Sequence, residues 1–362
     1  MDMDVVCALR VASNSWSTDY NMAEHDVFIV DSDDLEEKAQ GICRELCKPG
    51  FFLIRLQAAA AAEIHEMQSQ ARIFFSQSED VKRMVGSGSD SSGVGGEGIG
   101  YRNQPEHESE FLETFLSLRT GGTHPSVAEP DGLARAAAAV HRHLTGVSRR
   151  LLAILAAFLR LPPAALFDAA ALWDADADVN KGIDDGNALS SSLLRICHYR
   201  AAAGAANGST TSTEAGGVGM EMGSATADCS GSQDVLSPAD VVFPEHADST
   251  LLTLSPLFAH SPGLQLKLAG GAFLEAERLS CVQEGAATFV EVHAGDYLGV
   301  LSRGVFGALR HRVVRQHSER LSCPLLLRPR HEWRQRRGWL EALADANDDT
   351  SSEEDEAAEP VS

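Results

Sequence analysis

Apolar and polar positions divide the chain into segments of two periods. Val27 to Val30 and Phe51 to Ile54 are short continuous apolar runs, the pattern of buried strands. Between them Leu35, Ala39, Ile42, Cys43 and Leu46 recur at helical spacing. Asp33 with Glu36 predicts a capping box at the start of that helix, and Pro49-Gly50 its end. A second helix is predicted from Ala58 to Phe75, with Ile64, Met67, Ala71, Phe74 and Phe75 on its apolar face. A third, Ala- and Leu-rich, covers about residues 131 to 160 and would brace a sheet from outside. Glu110 to Leu116 predicts a strand at the edge of a barrel. Leu194 to Tyr199, Leu251 to Leu254, Thr288 to Val292, Tyr297 to Leu301 and Arg320 to Leu327 carry β composition.

Other stretches carry no such pattern. Gly93 to Gly98 matches G-x-G-x-x-G, but a Ser/Gly run precedes it where a nucleotide fingerprint needs a strand, which predicts a flexible loop. Asp174 to Asn180 resembles a calcium loop, yet Val179 and Asp185 stand where that loop needs Gly and Glu, so a solvated acidic loop is expected. Residues 200–240 are a Gly/Ala/Ser/Thr stretch with too few large apolar side chains to offset the entropy of ordering. The C-terminal end is basic over Arg334 to Arg337, then holds nine acidic and no basic residues from Glu341 onward. The expected organisation is an extension (1–24), an N-terminal region (25–125), bracing helices with the acidic loop (126–188), a core with a disordered insertion (189–330), and a disordered tail (331–362).

The chemistry gathers between Pro244 and Pro324. Side chains at i and i+2 share a face of a strand, and the segment ending in Leu251-Leu252-Thr253-Leu254 has strand composition, so His246 and Asp248 are expected to point the same way. Thr250, Leu252 and Leu254 have the same parity and are expected to line the interior. His311 lies in another β-rich segment and completes two imidazoles and a carboxylate, a set that holds one face of a metal and leaves the other open. Arg320 and Ser322 again stand two apart; a guanidinium fork beside a hydroxyl suits a carboxylate. A lone His-x-Asp is expected by chance in a chain of this composition, so the specificity lies in the ordered string: His246-x-Asp248, Gly263 to Leu266, Gly295-Asp296, His311-Arg312-Val313, and Arg320-x-Ser322-x-Pro324.

That string resembles the isopenicillin N synthase-like group of the Fe(II)/2-oxoglutarate-dependent dioxygenases. The resemblance implies a mixed α+β protein built on a double-stranded β-helix, or jelly-roll, core. It implies Fe(II) on His246, Asp248 and His311, with 2-oxoglutarate as co-substrate held by Tyr199, Arg320 and Ser322. The implied reaction uses O2 to oxidise a small-molecule substrate and releases succinate and CO2. The family's Asn-x-Tyr reads Cys197-His198-Tyr199 here, so one polar contact is replaced by a thiol. Two other readings stay open: an Fe(II) oxidase of this fold that uses no 2-oxoglutarate, and a binding protein without catalysis.

Composition narrows the setting. The formal charge of −22 repels phosphate backbones, so nucleic acid is not an expected partner, despite nine Arg between Arg310 and Arg337. No apolar run approaches the ~18 residues of a membrane span, and the acidic start, Met1-Asp2-Met3-Asp4, is unlike a secretory signal. Seven scattered cysteines without a Cys-x-x-Cys suggest reduced thiols. A cytoplasmic enzyme is expected, of unspecified oligomeric state.

Overall fold

The structure is a computed structural model that describes residues 27–48, 50–84, 100–104, 109–115, 131–162, 166, 192–201, 241–279, 281–282 and 288–329. The expected extension, the Gly93–Gly98 loop, the acidic stretch at 174–180, nearly all of the 200–240 insertion and the tail lie outside them.

In chain order the described strands are β1 (Ile29–Asp31), β2 (Phe51–Arg55), β3 (Gly100–Gln104), β4 (Ser109–Phe115), β5 (Leu193–Tyr199), β6 (Val241–Ala247), β7 (Leu252–Leu257), β8 (Leu264–Lys267), β9 (Phe273–Glu275), β10 (Phe289–Ala294), β11 (Arg310–Val314), β12 (Arg320–Ser322) and β13 (Leu325–Leu327). The helices are α1 (Ala39–Cys47), α2 (Ala58–Phe75), α3 (Glu79–Met84), α4 (Asp131–Phe158) and α5 (Asp296–Leu301), with a 3-10 turn at Ala276–Arg278. Nine strands form one sheet in the order β1-β2-β10-β7-β13-β5-β4-β3, with β12 also on β5; four form another, β6-β11-β8-β9. Strands from the N-terminal region and from the core region therefore share the large sheet.

Two apolar clusters join the sheets. Phe51, Leu53, Leu257 and Phe289 from the large sheet pack with Leu264 and Leu266 from the small one. Cys197 and Tyr199 on β5 pack with Val242 on β6 and Val313 on β11. The opposite face of the large sheet is covered by α2 and α4, where Ile64, Met67, Phe74, Leu133, Val140 and Leu144 join one cluster with Phe52, Ile54, Leu252 and Leu254. The result is mixed α+β, a jelly-roll-like pair of facing sheets that does not close into a barrel. Strands buried on both faces read as continuous apolar runs, and all of β13 and β10 is buried. In β10 that burial includes Glu291 and His293.

Several expectations need correction. No capping box forms: α1 starts at Ala39 with no side-chain cap, and Glu36 instead accepts Arg150 Nε at 2.7 Å, tying α4 to the loop before α1. β4 is not an edge strand, because β3 pairs with its outer side. Tyr297 to Leu301 is helical, since Gly295-Asp296 turns the chain after β10 and the backbone closes into α5. Arg320 to Leu327 is two strands, broken at Cys323-Pro324, where proline cannot donate to a ladder. The strand bearing His246 ends at Ala247, and β7 begins at Leu252 in the other sheet, so the expected shared parity is lost. Leu252 and Leu254 face the helices, and Thr253 and Ser255 line the cavity.

Candidate metal centre

His246 on β6 and His311 on β11 are direct cross-strand partners, with ring centroids 4.3 Å apart. Asp248 follows in the turn after β6. That turn is pinned from below: Asp296 N–H donates to the Asp248 carbonyl (3.0 Å) and Gly295 N–H to the Leu251 carbonyl (3.2 Å). A Cβ at position 295 would come within 2.5 Å of the carbonyl oxygens of Asp248 and Thr250, so the close approach requires glycine.

The three side chains offer metal-ligand atoms that all lie within 4.8 Å of one another. His246 Nδ1 donates to the Pro244 carbonyl at 2.9 Å, which leaves the lone pair on Nε2. His246 Nε2 is 3.5 Å and His311 Nε2 3.8 Å from the same atom, Asp248 Oδ1. The other oxygen, Oδ2, is held by the protein: Thr253 Oγ1 donates to it at 2.6 Å, and His293 Nε2 lies 3.3 Å away. Thr250 Oγ1 in turn meets Thr253 Oγ1 at 3.1 Å. His293 Nδ1 is 2.8 Å from Glu291 Oε1, a pair whose side chains are 1% and 0% exposed.

The electrostatics suit a cation. Burial works to raise Asp248, but the surrounding imidazoles of His246, His293 and His311 overcome this and hold the carboxyl well below its usual range. Desolvation drives His311 down to about 3 against the pull of Asp248, so its imidazole is neutral at physiological pH. His293 goes the other way: burial opposes its charge, yet Glu291 and Asp248 push it up to about 10. Two imidazole nitrogens converge with one ionised carboxylate oxygen, and the donor set fits a divalent metal that accepts N and O ligands.

Tyr199, Arg320 and Ser322 line the same cavity as the His/Asp/His group. β12 pairs with β5 so that Arg320 stands opposite Tyr199 and Ser322 opposite Cys197. The Arg320 guanidinium lies 5.3 Å from the Tyr199 ring centre. Its Nη2 donates to Glu277 Oε1 at 2.8 Å, whereas Nε and Nη1 are buried with no hydrogen-bond partner among the described residues. The stem of Arg320 crosses Gly263, whose φ of +132° no other residue type readily adopts. Burial raises the Cys197 thiol, keeping it protonated.

No family model matches the sequence, and neither does any curated protein. Solved structures match over most of the chain. A full-length Neurospora crassa protein in complex with alpha-KG and 5-formyluracil superposes with a TM-score of 0.56 at 18% identity, covering 86% of each chain. The rice dioxygenase for auxin oxidation gives 0.55 at 17% identity, covering 83% of each. A Caulobacter crescentus protein assigned to the 2OG-Fe(II) oxygenase family gives 0.54 at 17%, over 85% of this chain and 88% of that one. The chain has the fold of the Fe(II)/2-oxoglutarate oxygenases. At this identity the likeness is one of architecture, and the site must be argued from its own residues.

All six residues singled out in the sequence meet in one cavity. Thr253, Glu277, Glu291 and His293 were not anticipated. For Glu291 and His293 the signal was present, as two ionisable residues in an otherwise apolar strand; for Glu277 the nearby sequence gives none.

Proposed function

We propose that the protein is an Fe(II)- and 2-oxoglutarate-dependent oxygenase that oxidises a small molecule and releases succinate and CO2. The observation that carries this reading is the division of labour on Asp248: one oxygen is fixed by Thr253 and His293, and the other faces both imidazole Nε2 atoms. The Neurospora crassa structure contains alpha-KG, and the same co-substrate is proposed here.

His246, Asp248 and His311 would hold the iron through Nε2, Oδ1 and Nε2. When bound, Fe(II) supplies the oxygen activation that is coupled to decarboxylation of the keto acid. The chain orients and encloses. Arg320 offers Nε and Nη1, whose burial without a partner costs about 1–3 kcal/mol, to the distal carboxylate of 2-oxoglutarate. Ser322 adds a hydroxyl from the same strand, and the Tyr199 ring braces the guanidinium. Leu264 and Val313 line the cavity with apolar surface and limit water there.

The test is anaerobic loading with Fe(II), followed by a metabolite screen for substrate-stimulated conversion of 2-oxoglutarate to succinate. One iron per chain is expected, lost in His246→Ala and Asp248→Ala. Unchanged iron stoichiometry in both variants would refute the site; substrate-dependent O2 uptake that is indifferent to 2-oxoglutarate would favour the oxidase reading.

A further inference from the structure

Arg320 is already neutralised before any ligand arrives. Glu277, 2% exposed, takes its Nη2 hydrogen with Oε1 and the Leu264 N–H with Oε2 at 3.0 Å. The remaining buried donors of Arg320, Nε and Nη1, belong to the same cation. A carboxylate docking on them puts two negative charges on one buried guanidinium.

The other charges around the pair do not offset the excess. Glu275, beside the 3-10 turn, is itself raised by burial and is bound to Arg278 at 3.1 Å. Glu291 on β10 adds to the negative surroundings, and its counter-charge is His293. Tyr199 and Cys197 on β5 are both held neutral by burial. Arg195 lines the cavity from β5 as a second cation; its charge acts on Cys197 and Tyr199, whereas the charge that acts on Glu277 is that of Arg320. Like charges brought together in low dielectric raise the affinity of one of them for a proton.

We propose that binding of the distal carboxylate of a 2-oxo dicarboxylate at Arg320 is coupled to uptake of one proton by Glu277, which thereby sets the pH dependence of co-substrate affinity. This rests on the oxygenase reading above. The proton comes from solvent and adds to a carboxylate oxygen of Glu277; each oxygen of the resulting acid keeps an acceptor lone pair, so the bonds from Arg320 and Leu264 survive. Burial already raises the Glu277 carboxyl, with Arg320 opposing, so a second carboxylate raises it further. The sign follows: the pKa of Glu277 is higher in the complex than in the free protein. Affinity is therefore greatest below the free-state value, falls across the window between the two, and levels off above it.

The experiment is calorimetric titration of 2-oxoglutarate into the Mn(II)-loaded full chain, in buffers of different ionisation enthalpy, from about pH 5.5 to about pH 8.5. Wild type is expected to take up close to one proton per ligand within the window, with affinity falling up to about tenfold per pH unit. Glu277→Gln should bind without that uptake, with a flatter pH profile and tighter binding at the alkaline end. A 2-oxo acid with an uncharged tail should bind wild type without uptake. Contributions from the metal ligands are common to both proteins and cancel in the comparison. Binding to wild type with no proton exchange at any pH overturns the proposal, as does equal uptake by wild type and Glu277→Gln. Failure of 2-oxoglutarate to bind the metal-loaded wild type at all removes both the proposal and the co-substrate reading, and the wild-type series decides even if the variant does not fold.

Discussion

The pair Glu291–His293 lies in the fully buried strand β10 and touches the candidate metal site through Asp248. Removing one member of a buried ion pair strands the other charge, at a cost of about 3–5 kcal/mol, whereas replacing both with apolar residues of similar volume is often neutral. Glu291→Leu and His293→Leu are each expected to cost about 3 kcal/mol or more by that reasoning, and the double variant much less, giving a coupling energy of about 5 kcal/mol in magnitude. Denaturant midpoints of the metal-free chain at neutral pH measure this. Co(II) affinity supplies the second reading. His293→Leu removes one of the two groups that hold Asp248 Oδ2, and loss of such support costs about 10- to 100-fold in metal affinity. In the double variant stability should return while Co(II) affinity stays low, because Asp248 is still held by Thr253 alone. Single variants that lose under about 1 kcal/mol and add without coupling would refute the buried ion pair. Recovery of Co(II) affinity together with stability would refute the positioning role of His293.

Two further outcomes follow from particular residues. His141 on α4 is buried, with Thr145 at 3.2 Å, and desolvation lowers it to about 4 from 6.5. The unfolded chain thus binds a proton that the folded one refuses between those values, so wild type loses up to about 3 kcal/mol as pH falls from 6.5 to 4. His141→Leu should flatten that acid limb in chemical denaturation; an unchanged slope would mean the imidazole is solvated. At Gly263, alanine would put Cβ 2.8 Å from the Val314 carbonyl and 2.9 Å from Arg320 Cδ at a positive φ. Gly263→Ala should destabilise by about 1–3 kcal/mol and weaken 2-oxoglutarate binding to the metal-loaded protein, which thermal melts and calorimetry report; retention of both would place Arg320 elsewhere.

The metal candidates were legible because local spacing brought out His246 and Asp248, and because His311 and Arg320-x-Ser322 each sit within a single strand. What spacing could not reveal was the change of sheet after Ala247. Parity arguments hold only along one strand, so Thr253 and Ser255 were hidden behind Leu252 and Leu254. Tyr297 to Leu301 has strand composition, but its helix is decided by the turn at Gly295-Asp296 packing on the Asp248 loop, a tertiary contact. Glu277 meets Arg320 across 43 residues and His293 meets Asp248 across 45, distances over which no periodicity operates. The Asp33/Glu36 pair shows the reverse: a local motif was present, and the distant Arg150 took its carboxylate.

The pairing of β6 with β11 sets His246 opposite His311, and the ladder is irregular immediately beyond, between His311 and Val313 and again before Val314. A slip of one residue would turn His311 to the outer face. An ion gripping both histidines therefore acts as a latch on strand alignment: it tightens only when the two strands are in step. Its binding energy would appear as added stability that grows with free metal, concentrated in slowed amide exchange along these two strands, so that loading the site would also proofread the fold of the small sheet.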